Sequence, residues 1–236
     1  MNHRFHREGP VTFRADRLEL PLHVKKPTIW AIWSDLFHEE ITAYQITSVF
    51  EVMQSCPQHT FIICTKRPER ISPVLYGDEG LWYLGGGDYL PNVILMTTAE
   101  DQENADKRIC EIFNCWPFHM AVSIEPILGP VDLIEFLIPQ LCGGRKLGWV
   151  IVGCETGPKR RPCNLEWIRS IRDQCKAAGV PLWVKGIEAP RMCGAYIGGT
   201  FLQHTNAIGP VHVSHNTAEW PEDLRIRQMP FTGGPK

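Results

Sequence analysis

The chain reads as an α/β protein built on an incomplete TIM-barrel-like parallel sheet of about six strands with flanking helices. Three observations predict it: short apolar runs recur along the chain, helical periodicity separates them, and each run ends in polar residues. The runs are IWAIW before Ser34-Asp35, FIIC before Thr65-Lys66-Arg67, VILM before Thr97-Thr98, HMAV before Ser123 and Glu125, WVIV before Gly153 and Glu155, and PLWV before Lys185. Strands alternating with helices pair in parallel through right-handed crossovers, and parallel strands bring their C-terminal ends to one common mouth.

Residues 28–33 form the first expected strand, because a continuous β-branched and aromatic run suits a sheet covered on both faces. Ile46, Val49, Phe50 and Met53 then recur at helical spacing, and Pro57 ends that helix by breaking the hydrogen-bond ladder. Residues 61–64 form the second strand, and Pro68 opens a short helix from its first turn. From Tyr76 to Tyr89, five glycines and several aromatics predict a long loop beside the mouth, a place where binding elements concentrate.

Residues 93–96 make the third strand and 101–115 the next helix, with Ala105, Ile109, Ile112 and Phe113 on its apolar side. The fourth strand covers 119–123; the turn Glu125-Pro126 and a short helix around Leu133, Ile134 and Leu137 follow. Residues 149–152 make the fifth strand. Asn164 caps a helix whose Ile168, Ile171 and Cys175 face inward and which Gly179 ends. Residues 181–184 supply the sixth strand. Beyond Ala189 the pattern decays into glycine, histidine and asparagine segments, with a strand-like piece at 209–213 able to cover a sheet edge. The expected organisation is one domain over 1–236: a lead-in at 1–27, a barrel-like core at 28–188 and an irregular extension at 189–236.

A net charge of -2 and a pI near 6.5 give no global argument for nucleic-acid binding, which calls for a basic face. No apolar run reaches the roughly 18 residues of a membrane-spanning helix, and the start MNHRFHREGP carries no apolar signal core, so a cytoplasmic protein with no membrane partner is expected. Nine cysteines, an odd number without a CxxC pair, predict reduced packing thiols more than a disulfide scaffold.

The rim supplies the candidate site. Asp35, His38, Lys66, Glu125 and Lys185 are the catalytic candidates; Ser34, Arg67, Ser123 and Glu155 are the ligand-binding ones, with Glu100 and Asp101 adding carboxylates. Opposite charges meeting in a cleft orient a polar small molecule and tune one another's pKa values. A structural account is also open: Asp35 and Asp101 cap helices, and Lys185 neutralises Glu155. His59 is expected at the opposite end of its strand, and His204, His212 and His215 read as surface residues without metal-ligand spacing. No metal site is predicted. Gly153 to Pro158 is a weak pocket signal after a strand, and Gly85-Gly86-Gly87 a weaker one. Lys159-Arg160-Arg161 reads first as a solvated loop and second as a small phosphate footprint, with Trp82 and Tyr83 as stacking groups.

At these strand ends the chain resembles a phage- and prophage-encoded family of uncharacterised proteins with a radical-SAM-like barrel. The resemblance is carried by Trp33-Ser34-Asp35-Leu36-Phe37-His38, Pro57-Gln58-His59-Thr60-Phe61, Thr65-Lys66-Arg67-Pro68-Glu69-Arg70, Glu100-Asp101-Gln102, Glu125-Pro126-Ile127-Leu128-Gly129-Pro130 and Ile151-Val152-Gly153-Cys154-Glu155-Thr156-Gly157. It continues from Arg169 to Lys185 and returns near Leu224 to Pro230. For complete relatives it implies an N-terminal cysteine cluster that ligates a four-iron cluster, S-adenosylmethionine on the open iron, and radical chemistry. Here no cysteine precedes Cys56, so the resemblance implies neither cofactor for this chain; a truncated product and a degenerate member that keeps the pocket both account for that. Cys64, Cys154 and Cys163 lack cluster-loop spacing as a replacement.

Three functions follow as expectations. The first is a radical-SAM-like domain that binds a small polar or anionic ligand at its strand ends. The second is a cluster-independent hydrolase or transferase with Asp35, His38 or Glu125 as base and Lys66 or Lys185 stabilising anionic charge. The third is a nucleic-acid-binding module. An incomplete barrel also exposes an edge strand that invites self-association, and the sequence leaves the oligomeric state open.

Overall fold

A computed structural model describes residues 11–32, 34–77, 90–115, 118–189, 192–197, 200–208 and 212–230. Six parallel strands form its centre: β1 (Ile29–Ala31), β2 (Thr60–Thr65), β3 (Val93–Thr98), β4 (His119–Ile124), β5 (Trp149–Gly153) and β6 (Leu182–Ala189). They lie side by side in chain order, and β9 (His212–Ser214) adds antiparallel to the outer side of β6. The curled sheet is a half-barrel, as the alternating pattern predicts. Helices α1 (Ala43–Ser55), α2 (Ile71–Tyr76), α3 (Gln102–Phe113), α4 (Ile134–Leu137) and α5 (Leu165–Ala178) make the connections.

Side-chain alternation divides the packing into two layers. Phe61, Ile63, Val93, Leu95, Met120, Val122, Val150, Val152, Leu182 and Val184 face the helices and join Ile46, Phe50, Met53, Ile109, Ile112, Ile168 and Ile171 in the main core. The opposite, concave face carries a smaller core of Ile94, Met96, Ala121 and Trp149, flanked by the partly buried Ile62, Cys64, Ile151, Trp183 and Met229. Each strand is apolar on both faces, yet only the convex face is fully covered.

Helix ends follow local chemistry. Thr42 and Gln45 form a reciprocal capping box at α1: Thr42 Oγ1 accepts from Gln45 N (3.2 Å), and Gln45 Oε1 accepts from Thr42 N (3.0 Å). Asp101 caps α3 by accepting from Asn104 N, as its position suggested, and Asn164 caps α5. Gly179 closes α5 in the left-handed conformation (φ 64°) that glycine adopts without a Cβ penalty.

Several features depart from expectation. β1 is three residues long and lies at the sheet edge, with Ile29 53% exposed; Trp33 lies outside the described residues. β6 runs to Ala189, beyond its apolar stretch, because β9 pairs with its far half (Ile187↔Ser214, Glu188↔Val213, Ala189↔His212). The expected irregular extension contains a second, two-stranded sheet, β7 (Met192–Ile197) with β8 (Thr200–Ile208). Near the C-terminus, residues 226–228 line the other half of the β6 edge: Val184 N donates to Ile226 O (2.9 Å) and Gln228 N to Leu182 O (2.9 Å). Edge covering is thus done by two segments rather than one.

The cysteines also differ. Cys154 and Cys163 form a disulfide (Cα–Cα 5.6 Å), whereas Cys56, Cys64, Cys110, Cys115, Cys142 and Cys175 are free. The spacing of nine carries no redox or zinc signature; the pair meets because the β5–α5 loop doubles back. Among the described residues no helix is long and apolar enough to cross a membrane.

Candidate functional site

The concave face changes character at the C-terminal ends of the strands. By alternation Lys66 follows Ile62 and Cys64, Thr98 follows Met96, Ser123 and Glu125 follow Ala121, Gly153 follows Ile151, and Lys185 follows Trp183. A polar layer therefore stands on an apolar floor. Asp35, Lys66, Glu125 and Lys185 all act electrostatically on the Cys64 thiol, which lies among them. Burial pushes that thiol up to about 12, the two carboxylates push the same way, and the two lysines oppose them.

Asp35 is the most heavily bonded of these groups. Its Oδ1 accepts from Thr65 Oγ1 (2.5 Å) and Phe37 N (3.1 Å), and its Oδ2 from Arg67 Nη1 (2.8 Å) and Lys66 N (3.3 Å). It fastens the loop after β1 to the end of β2 and turns its own loop at Phe37. With its lone pairs so engaged, Asp35 positions Arg67. Arg67 reaches Glu39 as well (3.6 Å). His38 serves its own loop, its Nδ1 accepting from Glu40 N (3.2 Å), and Ser34 is exposed.

Two lysine–carboxylate pairs flank the floor. Lys66 Nζ donates to Glu100 Oε1 (2.9 Å), whose other oxygen accepts from Arg108 Nη1 (2.9 Å). Burial raises the Glu100 carboxyl, but Lys66 and then Arg108 outweigh it and hold it below its ordinary value. On the other flank Glu125 Oε2 accepts from Lys185 Nζ (2.9 Å) and Ser123 Oγ (3.2 Å). The Glu125–Pro126 peptide is cis. Gly153 makes room for this carboxylate: a Cβ there would lie 2.6 Å from Glu125 Oε1.

Glu155 is not the partner of Lys185. Its Oε2 accepts from Arg161 N (2.7 Å) and Nε (2.8 Å), and its Oε1 from Arg161 Nη2 (2.9 Å). These bonds, the Arg161 side chain foremost, lower its carboxyl to about 2. Because that lies below the ordinary 4.5, the pair's contribution to stability is complete above about pH 4.5 and is lost as pH falls towards 2. Glu155→Gln is expected to flatten the acid limb of a Tm-versus-pH curve across that window while changing Tm little at pH 7, a modest effect because the pair faces solvent. An unchanged acid limb would contradict the assignment.

Arg108 escaped sequence reasoning, and His215, exposed as the surface reading expected, was not placed beside Lys185 by it. Arg108 sits between Ala105 and Ile112 on the buried stripe of α3, and a cation interrupting an apolar stripe was the available signal. His215 follows β9; its Nδ1 lies 2.8 Å from Lys185 O and donates to that carbonyl. Gly186 admits the ring, since a Cβ there would meet it at 2.8 Å. No local pattern announces His215, because antiparallel pairing from far along the chain delivers it.

The remaining candidates separate from the mouth. His59 is buried at the opposite strand end, accepting from Thr28 N and donating to Pro21 O (3.0 Å). His212 pairs with Glu219 (3.4 Å). Arg160 and Arg161 face Glu188 and Glu155, so these loop cations are matched by carboxylates and offer little net charge to a phosphate backbone. Trp82, Tyr83 and Gly85-Gly86-Gly87 lie outside the described residues, as does the His204 side chain. Among the described residues no group of three His, Cys, Asp or Glu side chains could hold a metal ion. A groove of about 510 Å³ lies away from the mouth, on the outer surface of α5 against Ile134. Its Arg169 and Arg172 are bound to Asp223, so it holds satisfied surface charge rather than convergent groups.

Fold and rim together define an α/β half-barrel with a charged mouth at the C-terminal ends of its strands. The chain belongs to the family of unknown function DUF5131, which it matches over residues 2–194. The match spans β1 to β6 and every rim residue except His215. No curated protein and no solved structure matches the chain.

Proposed function

We propose that this chain is a phage-related, radical-SAM-like half-barrel whose mouth binds a small polar ligand carrying an anionic group. One observation carries the binding reading. Lys66 and Lys185, with side chains 48% and 57% exposed, stand just past the end of β2 and midway along β6, each held at 2.9 Å by a carboxylate above the concave apolar floor. Carboxylates fix the ammonium groups while leaving donors free, and an entering anion meets two preoriented cations beside an apolar surface. Glu100 and Glu125 suit a ligand that also bears a positive group. The motif resemblance supports the radical-SAM-like ancestry and makes S-adenosylmethionine, with its ammonium and carboxylate, the natural first probe.

The described cysteines do not fit a four-iron cluster, because no three of them come together. A hydrolase or transferase reading would rest on Glu125 with Lys185, because Asp35 is saturated and His38 turns to its own loop.

Thermal shift and calorimetric titration with S-adenosylmethionine and with inorganic phosphate test the proposal. At least one probe is expected to raise Tm saturably, and Lys185→Ala to weaken its binding about tenfold, roughly 1.4 kcal/mol, while the exposed Lys25→Ala leaves it unchanged. Absence of any saturable shift, or equal binding by Lys185→Ala, would reject the site. Salt-sensitive binding of short oligonucleotides without small-molecule binding would favour the nucleic-acid reading instead.

A further inference from the structure

We infer that Cys154 and Cys163 are a reversible thiol–disulfide pair that locks the β5–α5 loop, and with it the Glu155–Arg161 ion pair on the rim. The inference does not rest on the ligand proposed above. Four observations converge on it. First, the bond joins two fixed points: Cys154 N donates to Gly186 O (2.9 Å) within β6, and Cys163 immediately precedes Asn164, the N-cap of the fourteen-residue α5. Second, everything between them is loop, and its Glu155 and Arg161 are bonded to each other within the ring the disulfide closes. Third, Gly157 turns the loop at φ 115°, with nothing within 4 Å of where a Cβ would project, so the tip has room to move. Fourth, the six other cysteines whose side chains are described are free, several of them buried, which suits surroundings that keep thiols reduced. In such surroundings a single pair at bonding distance responds to an oxidant while its neighbours do not.

The step balances with a small-molecule disulfide as oxidant. The Cys163 thiolate, beside the positive end of α5, attacks one sulfur of that disulfide; a mixed disulfide forms and one half leaves as a thiol, taking the proton Cys163 released. Cys154 loses its proton and displaces the second half. Two protein thiols are oxidised by two electrons, and one small disulfide becomes two thiols. Both protein sulfurs are buried, so exchange proceeds through opening of the loop.

Equilibration of the full chain in glutathione buffers of graded reduced-to-oxidised ratio, followed by alkylation and peptide mass mapping, tests the inference. Cys154 and Cys163 are expected to change together in one two-electron transition within the buffer series, while Cys56, Cys115 and Cys175 remain alkylatable after denaturation. Hydrogen exchange in 155–162 is expected to slow at least tenfold in the oxidised form. Cys163→Ser and Cys154→Ser are expected to show the fast exchange under every condition; either one suffices should the other fold poorly. A pair that stays oxidised in excess reduced glutathione, a pair that never oxidises, or oxidation that leaves loop exchange unchanged would each overturn the inference.

Discussion

Replacing Asp35 with alanine is expected to cost about 2–4 kcal/mol of unfolding free energy, far more than an exposed carboxylate would. Four donors converge on this side chain, and one of them is a guanidinium. Charge-assisted hydrogen bonds contribute roughly 1.5–3 kcal/mol, and donors stranded without an acceptor add a desolvation cost. The loss stays below the sum over four separate bonds because Arg67, 30% exposed, can turn to water or to Glu39. Asp35→Asn retains an oxygen for Thr65 but loses the charge facing Arg67, so it should fall between wild type and alanine. Urea unfolding with an unchanged slope would report this loss as stability rather than altered compactness. A change below about 0.5 kcal/mol for Asp35→Ala would show that the β1–α1 loop is held by its apolar side, through the buried Leu36 and Phe37, and that the carboxylate is dispensable.

The contrast between Asp35 and His215 shows which parts of the molecule were legible in the sequence. Asp35 follows a strand whose apolar run is continuous, and parallel pairing in chain order carries it to the rim by a rule that needs only local periodicity. Lys66, Glu100, Glu125, Glu155 and Lys185 arrive the same way, which is why the curled sheet and the membership of the rim were readable together. Their pairing was not. Lys185 joins Glu125 across 60 residues rather than Glu155, because Gly153 leaves room for the Glu125 carboxylate and Arg161 holds Glu155. The strand-like piece at 209–213 overlaps β9, but the place of His215 and the β7–β8 pairing were not readable, because antiparallel pairing beyond residue 185 depends on contacts between distant segments; Lys185, Gly186 and Glu188 also break the apolar run that would have marked β6 as long. The disulfide escaped for a related reason: a separation of nine residues says nothing until the loop's path is known.

Replacing Trp149 with alanine is expected to be the most destabilising change, at about 3–5 kcal/mol. Its indole is buried in the concave core with Ile94, Met96 and Ala121, packs edge-on against Trp183 at 6.5 Å, and donates from Nε1 to Gln228 O (2.9 Å). It is therefore both the largest side chain of that thin core and a tether for the segment that covers the start of β6. Trp149→Phe separates the two roles, since it keeps most of the apolar volume and loses the tether, at roughly 1–2 kcal/mol. Limited proteolysis near residues 225–230 should be faster in both variants. Equal proteolysis in wild type and Trp149→Phe would assign the tether to Val184 and Leu182, whose backbones pair with Ile226 and Gln228. Trp183 also connects this core to the mouth, because it precedes Lys185 by two residues and its outer side supports Arg227, whose guanidinium sits between Trp183 (5.5 Å) and Trp220 (5.1 Å). A cavity beneath Trp183 frees it to tilt, so Trp149→Ala should weaken the anion binding proposed for Lys185 even where the protein remains folded. Binding retained in a folded but destabilised Trp149→Ala would show that the rim is fixed by its own ion pairs and not by the floor beneath it.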